Sequence, residues 1–241
     1  MKYIFSLILL SILSITLLAQ RANDKLKISP LTGNFYIFTT FQPIEGNPFP
    51  ANGMYVVTNA GVVMFDTPWD TSQFQPLLDS IKVRHNKNVV LCIATHSHDD
   101  RTAGLEFLTG HGVKTYTSVQ TDEICKKRNN KRAQFLFDHD TTFTIGQYSF
   151  ETFYPGQGHT PDNIVIWCGA EKILYGGCFV KSTEAESLGN LTDANLKEWG
   201  NSVSNVQRKY RHIKFIIPGH QGWKSNKSLI YTLKLLHRKK V

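Results

Sequence analysis

Cysteine is scarce in this sequence: Cys92, Cys125, Cys168 and Cys178 are the only 4 among 241 residues, and no two of them form a C-x-x-C pair. A disulfide-dense scaffold and a metal site of the paired-cysteine kind are thereby excluded. No nucleic-acid-binding module is present. The formal charge of +8 and the pI of 9.3 come from scattered basic residues, with short clusters only at Lys126-Lys127-Arg128 and His237-Arg238-Lys239-Lys240. Scattered charge is a solvated surface, so no nucleic-acid partner is expected. Acidic residues are missing before Asp24, and the one extended apolar run, residues 3–18, follows Lys2. That run is shorter than the roughly 20 residues of a membrane span. With the small Ala19 as a cleavage point, residues 1–19 are expected to be a signal peptide and residues 20–241 the exported domain, in the periplasm. No cysteine directly follows the run, so neither a lipid anchor nor a stable membrane anchor is expected.

The remaining chain, about 220 residues, suits one domain with a full core. Its first half has strand composition at residues 25–29, 35–41, 54–58 and 62–65, the last two joined by a turn at Asn59-Ala60-Gly61. Residues 42–50 carry three prolines, a glycine and an apolar tip. They read equally as a surface connection or as a mobile flap whose Ile44 and Phe49 cover a ligand. Residues 71–84 have the apolar spacing of an amphipathic helix, at Phe74, Leu77, Leu78 and Ile81. Strands then alternate with helices or hairpins: strands at 88–94, 113–118, 142–145, 148–154, 164–168, 173–175 and 214–217, helices at 103–108, 121–127, 193–210 and 225–237. The pattern predicts an α/β protein with mixed sheets covered by helices.

The strand at 88–94 stops at Thr95-His96-Ser97-His98-Asp99-Asp100-Arg101. A bent loop there aims two imidazoles and a carboxylate to one side, and these are ligands suited to zinc. Three further strand ends repeat the theme. His159 lies between Gly158 and Thr160 in a turn that precedes a strand, Cys178 follows Gly176-Gly177, and His220 follows Pro218-Gly219. Cys178 reads as a thiolate ligand; as a nucleophile it would need a partnering base and would leave the His-x-His-x-Asp motif unexplained. His96, His98, Asp100, His159, Cys178 and His220 are more ligands than one tetrahedral zinc uses, and they suit two metals, each with an open position. Lys181 is a candidate for holding an anionic substrate group.

The motifs His96-x-His98-x-Asp100-Arg101, Gly158-His159-Thr160-x-Asp162-Asn163, Gly177-Cys178-x-x-Lys181, Asn190 and Pro218-Gly219-His220 together resemble the metallo-β-lactamases of subclass B1. Pro50-Ala51-Asn52-Gly53-Met54-Tyr55 and Asp66-Thr67-Pro68-Trp69 fit the same pattern, in order, over nearly the whole mature chain. The resemblance implies a four-layer αβ/βα sandwich of two mixed sheets flanked by helices, with two Zn2+ ions at one edge. It assigns His96, His98 and His159 to one zinc and Asp100, Cys178 and His220 to the other. It implies hydrolysis of the β-lactam amide by a zinc-activated hydroxide, hence antibiotic resistance. Asp100 and Asn190 take catalytic parts, Asp100 by holding its zinc and orienting the water, Asn190 by donating to the carbonyl oxygen. Lys181 pairs with the substrate carboxylate, Ile44 and Phe49 become a lid, Trp69 is an apolar wall opposite, and Arg101 lies just outside the metal shell. The partner is then a small-molecule β-lactam, and a monomer is the simplest assembly. The alternatives are another hydrolase of the superfamily, acting on thioesters or phosphodiesters, or a periplasmic zinc-binding protein without catalysis. Arg101 in place of the His usual after the Asp, and the presence of Lys181, weigh against the first; Lys181, the flap and an open coordination position weigh against the second.

Overall fold

The computed structural model describes residues 25–138 and 140–239, and the expected signal segment at residues 1–19 lies outside them. Twelve strands build two sheets. The first contains β1 (Leu26–Thr32), β2 (Phe35–Ile44), β3 (Asn47–Thr58), β4 (Gly61–Phe65), β5 (Val89–Ile93), β6 (Lys114–Ser118) and β7 (Phe135–Phe137), side by side in chain order. Its first four strands pair antiparallel and the rest parallel. The second sheet has the order β12 (Phe215–Pro218), β11 (Ile173–Gly177), β10 (Val165–Cys168), β9 (Tyr148–Phe153), β8 (Thr142–Ile145), and only β11 and β12 are parallel.

The sheets face each other through a core that joins Phe35, Ile37, Val63, Phe65 and Ile93 of one to Phe150, Ile166, Ile173, Tyr175 and Ile217 of the other. Alternation along a strand sends the intervening residues outward, where helices cover them. In β4, Val63 and Phe65 enter the central core while Val62 and Met64 pack under α1 (Phe74–His85) and α3 (Leu105–Gly110). Every residue of β4 is therefore buried, which explains its unbroken apolar run. On the far side, α5 (Leu196–Lys209) and α6 (Ser228–Lys239) place Trp199, Val203, Val206, Leu229 and Leu236 against Val165, Leu174 and Ile216. Burying each such side chain stabilises the fold by about 1.5–3 kcal/mol before chain entropy is counted. The result is the four-layer sandwich of two mixed sheets flanked by helices.

The helix boundaries have local causes. Asp70 accepts a bond from Ser72 N and opens a 3-10 turn, Thr71–Gln73, that leads into α1. The helix stops where Asn86 turns left-handed, with Lys82, Arg84 and His85 in its last turn, favourably placed for the helix dipole. In α5, the Asn195 side chain accepts from Glu198 N, and the buried Trp199, Val203 and Val206 mark the inward face.

Several expectations need redrawing. Residues 42–50, read as either a surface connection or a mobile flap, have regular structure. β2 and β3 continue through them as a ribbon, pairing Gln42 with Phe49, Pro43 with Pro48 and Ile44 with Asn47 around a turn at Glu45-Gly46. A two-stranded ribbon tolerates prolines because one edge of each strand has no neighbour to bond. The helix expected at 103–108 is α3, which runs from Leu105 to Gly110, and a separate short helix not expected there, α2 (Asp99–Thr102), precedes it. Strand β7 was not expected, since a three-residue edge strand carries too short a pattern to read. The helix expected from residue 193 begins at Leu196, because residues 190–195 form turns.

Candidate metal centre and active site

The topology gathers the strand ends. β4, β5 and β6 run parallel, so their C-terminal ends share one edge of the first sheet, and β11 and β12 do the same in the second. β10 runs opposite to β11, which puts the loop before it, with His159, at that same edge. The two edges are tied together by Ile164 N donating to Thr95 O at 3.0 Å, Asn52 N to Gly219 O at 2.8 Å, and a bridge between Ala51 and His220.

β5 ends in a sharp polar turn held by Asp66, whose Oδ1 accepts from Thr95 N at 2.7 Å and whose Oδ2 accepts from Thr95 Oγ1 at 3.0 Å. His96 and His98 follow, and the first turn of α2 presents Asp100. On the opposite sheet, Gly177 sits at φ +52° with Thr95 Oγ1 only 2.9 Å from where a Cβ would be. Only glycine fits that turn, and it swings Cys178 inward. Gly158 is equally confined, against Phe179 and Trp199, and sets His159 beneath the opening.

Two sets of ligand atoms result. The imidazoles of His96, His98 and His159 stand nearly perpendicular, with centroids 4.9, 5.2 and 5.0 Å apart in pairs and ligand atoms all within 4.8 Å. In the second set His220 Nε2 is 3.0 Å from Asp100 Oδ2, and Cys178 Sγ lies 3.1 Å from that oxygen and 3.2 Å from His220 Nε2. Tetrahedral zinc with ordinary bond lengths needs ligand atoms about 3.3–3.6 Å apart, so this set already has nearly the right spacing. His96 also comes within 4.8 Å of the Asp100 and Cys178 ligand atoms, so the two sets adjoin.

The donor chemistry fits metal as well. His96 Nε2 and His159 Nδ1 are buried with no hydrogen-bond partner among the described residues, a costly state unless an ion fills it. His220 Nδ1 donates to Pro50 O at 2.9 Å, which leaves Nε2 as a bare acceptor toward Asp100 and Cys178. His98 Nε2 is 2.7 Å from Asp193 Oδ2, which leaves Nδ1 for the centre. Burial holds the His96 and His159 imidazoles neutral, well below the usual range. Burial, the largest single influence, would raise Asp100, but Arg101, His220 and His96 together outweigh it and hold the carboxyl well below its ordinary value. Burial pushes the Cys178 thiol up, against the pull of Arg101, so without metal it carries its proton. A coordinated cation would displace that proton.

Arg101 is the hub beneath both sets. It is 1% exposed and donates to Asp100 Oδ2 from Nε and Nη2 at 3.0 and 2.9 Å, to Asn52 O at 2.7 Å, to Gly219 O at 2.8 Å and to Asp66 Oδ2 at 3.3 Å. Asp66, wholly buried, is raised to about 6 by burial even though Arg101, Tyr175 and Thr95 all pull it down.

Above the ligands opens a cavity of about 750 Å³ lined by His98, Asp100, His159 and His220, and by Ile44, Phe49, Trp69, Lys181 and Asn190. Every residue expected to touch substrate is thus at this cavity. Phe49 packs 5.0 Å from the His220 ring and Trp69 6.3 Å from it, so the ribbon and the wall meet over one of the candidate ligands. Lys181 is almost wholly buried, its ammonium 5.3 Å over the Trp199 ring. Asn190 Oδ1 accepts from Thr192 N and Oγ1, so its amide nitrogen has no partner among the described residues. Sequence reasoning missed Asp193, which orients His98 and is itself held by both Arg128 guanidinium nitrogens, and it assigned no part to Asn52 or Asp66. Asn52 and Asp66 sit inside recognisable motifs; nothing local marks Asp193, which reaches His98 across 95 residues.

The sequence profile of the Metallo-beta-lactamase superfamily matches residues 46–220. The chain is 42% identical over 212 residues to a metallo-beta-lactamase type 2 of Elizabethkingia meningoseptica, covering 88% of this chain and 85% of that one. It is 38% identical over 239 residues to metallo-beta-lactamase IND-1 of Chryseobacterium indologenes, covering 99% and 100%. Among solved structures, a metallo-beta-lactamase from Pontibacter korlensis superposes with a TM-score of 0.86 at 35% identity, over 88% of this chain and 99% of that one.

Proposed function

The chain belongs to the metallo-beta-lactamase superfamily, and from that premise we propose that it is a subclass B1 enzyme that opens the β-lactam ring of antibiotics with two zinc ions. The observation that carries this reading is the pair of adjoining ligand sets, three histidines beside Asp100, Cys178 and His220. His96, His98 and His159 hold one ion and Asp100, Cys178 and His220 the other. When bound, the ions supply Lewis acidity and a water acidified to near neutrality.

The protein's own groups do the rest. The Lys181 ammonium, without an ion-pair partner among the described residues and screened from water, binds the carboxylate beside the lactam ring and orients the amide over the ligands. Asn190 donates its free amide hydrogens to the lactam carbonyl oxygen as negative charge gathers there. Asp100 fixes the geometry of its site and accepts a hydrogen bond from the water. Ile44 and Phe49 on the ribbon, with Trp69 opposite, cover the apolar part of the substrate and exclude bulk water. Among the described residues no helix is long and apolar enough to cross a membrane. With the apolar run at residues 3–18, we read residues 1–19 as an export signal and residues 20–241 as a monomeric periplasmic domain.

Zinc stoichiometry tests the assignment apart from turnover. Equilibrium dialysis followed by metal analysis is expected to find two zinc ions per wild-type chain and one in Cys178→Ser. Full loading of the variant at wild-type affinity would remove Cys178 from the ligand set.

A further inference from the structure

We propose that the cavity prefers zwitterionic β-lactams, with a cationic substituent on the ring carbon next to the one that bears the carboxylate; this rests on the lactamase reading above and narrows its substrate class. Two independent features point to opposite charges on one ligand. Lys181 is 8% exposed, lines the cavity, and has no hydrogen-bond or ion-pair partner for its ammonium among the described residues, so it awaits an anion. Glu184 and Glu186, three and five residues further on, line the same cavity, and neither has an ion-pair partner among the described residues.

Glu184 is held in place rather than waving in solvent. Its Oε2 accepts from Gly222 N at 3.0 Å, and its own N–H donates to Ser182 Oγ at 3.1 Å. That hydroxyl in turn donates to Gly222 O at 2.6 Å. The carboxylate occupies the space a Cβ at position 222 would take, so the absence of a side chain at Gly222 leaves room for the latch beside the His220-Gln221 wall. Of the basic residues at the cavity, Arg128 is spent on Asp193, and Lys181 lies nine-tenths buried beneath the loop. In a fused β-lactam the substituent beside the carboxylate-bearing carbon starts one bond away from that carbon. In a substrate anchored on Lys181 that substituent starts beside the cavity wall to which Glu184 and Glu186 belong. A cation there gains from both carboxylates and an anion is repelled.

The test uses two cephalosporins with the same acyl side chain, one with a pyridiniomethyl and one with an acetoxymethyl group at the neighbouring ring carbon. kcat/KM for each is measured with zinc-loaded wild type and with Glu184→Gln/Glu186→Gln, in which the Gly222 bond is kept. The ratio of zwitterionic to anionic substrate is expected to fall about three- to tenfold in the variant, the effect of charges about 6–8 Å apart at a wet surface. In the wild type it is expected to fall with added salt. Comparing ratios cancels the intrinsic reactivity of the two compounds. Turnover of both substrates with an unchanged ratio would overturn the preference and leave the lactamase reading standing. Turnover of neither by wild type would overturn both.

Discussion

Arg101→Ala is the most informative single perturbation of the scaffold, because Arg101 is a buried cation among two buried carboxylates and two carbonyls. Its loss leaves Asp66 and Asp100, 0% and 6% exposed, without their shared countercharge, and strips a donor from Asn52 O and another from Gly219 O. Removing one partner of a buried ion pair costs about 3–5 kcal/mol. Asn52 O keeps the Tyr175 hydroxyl at 3.0 Å and Gly219 O keeps Asn52 N at 2.8 Å, so neither carbonyl is left without a donor and both add little. The expected loss is therefore that of the ion pair, about 3–5 kcal/mol. A domain stable by about 5–15 kcal/mol would be left marginal. Arg101→Lys keeps the charge but not the fork, and is expected to fall between the two because one ammonium cannot reach Asp100, Asn52 and Gly219 together. Chemical unfolding of zinc-free protein at pH 7, followed by tryptophan fluorescence, measures all three. A loss below 1 kcal/mol in Arg101→Ala would refute the view that this guanidinium holds the metal-bearing edge together.

Three further outcomes follow from the same geometry. Asp66 holds its proton up to about pH 6 in the fold, above the usual unfolded value near 4, so its contribution to stability grows as pH falls from 6 towards 4. Asp66→Asn is expected to remove that slope from zinc-free unfolding curves, and an unchanged slope would assign it to another group. Asp193→Asn weakens the carboxylate that orients His98, and is expected to lower affinity for the first zinc about 10- to 100-fold, read by competition with a chromophoric chelator. Lys181→Gln is expected to lose about 10- to 100-fold in kcat/KM for carbapenems, mostly through KM; a loss confined to kcat would mean that Lys181 acts on the reacting bond instead.

Much of this was legible before any coordinates, for a physical reason. Ligands at strand ends leave a clear trace: an apolar run that halts at His96-Ser97-His98, or a glycine pair that turns before Cys178, is a local pattern. The residues that tune those ligands leave none. Asp193 touches His98 from a turn 95 residues away, and Arg101 meets Gly219 across 118, so their pairing exists only once the two sheets have packed. The ribbon at 42–50 was obscured for a different reason. Prolines and a glycine signal a loop, yet pairing from Ile37–Met54 outward carries the ladder through Pro43–Pro48, because the prolines occupy positions whose missing donors no third strand needs. Helix α2, four residues long, is set by the site's geometry rather than by any periodicity of its own.

The most direct test of the zinc lactamase reading is hydrolysis of a carbapenem by the purified protein, followed through the loss of its ring absorbance, first with zinc, then after chelation, then with zinc restored. Turnover that disappears on chelation and returns with zinc is the expected result. A folded protein carrying two zinc ions that leaves the carbapenem and other β-lactams intact would contradict it.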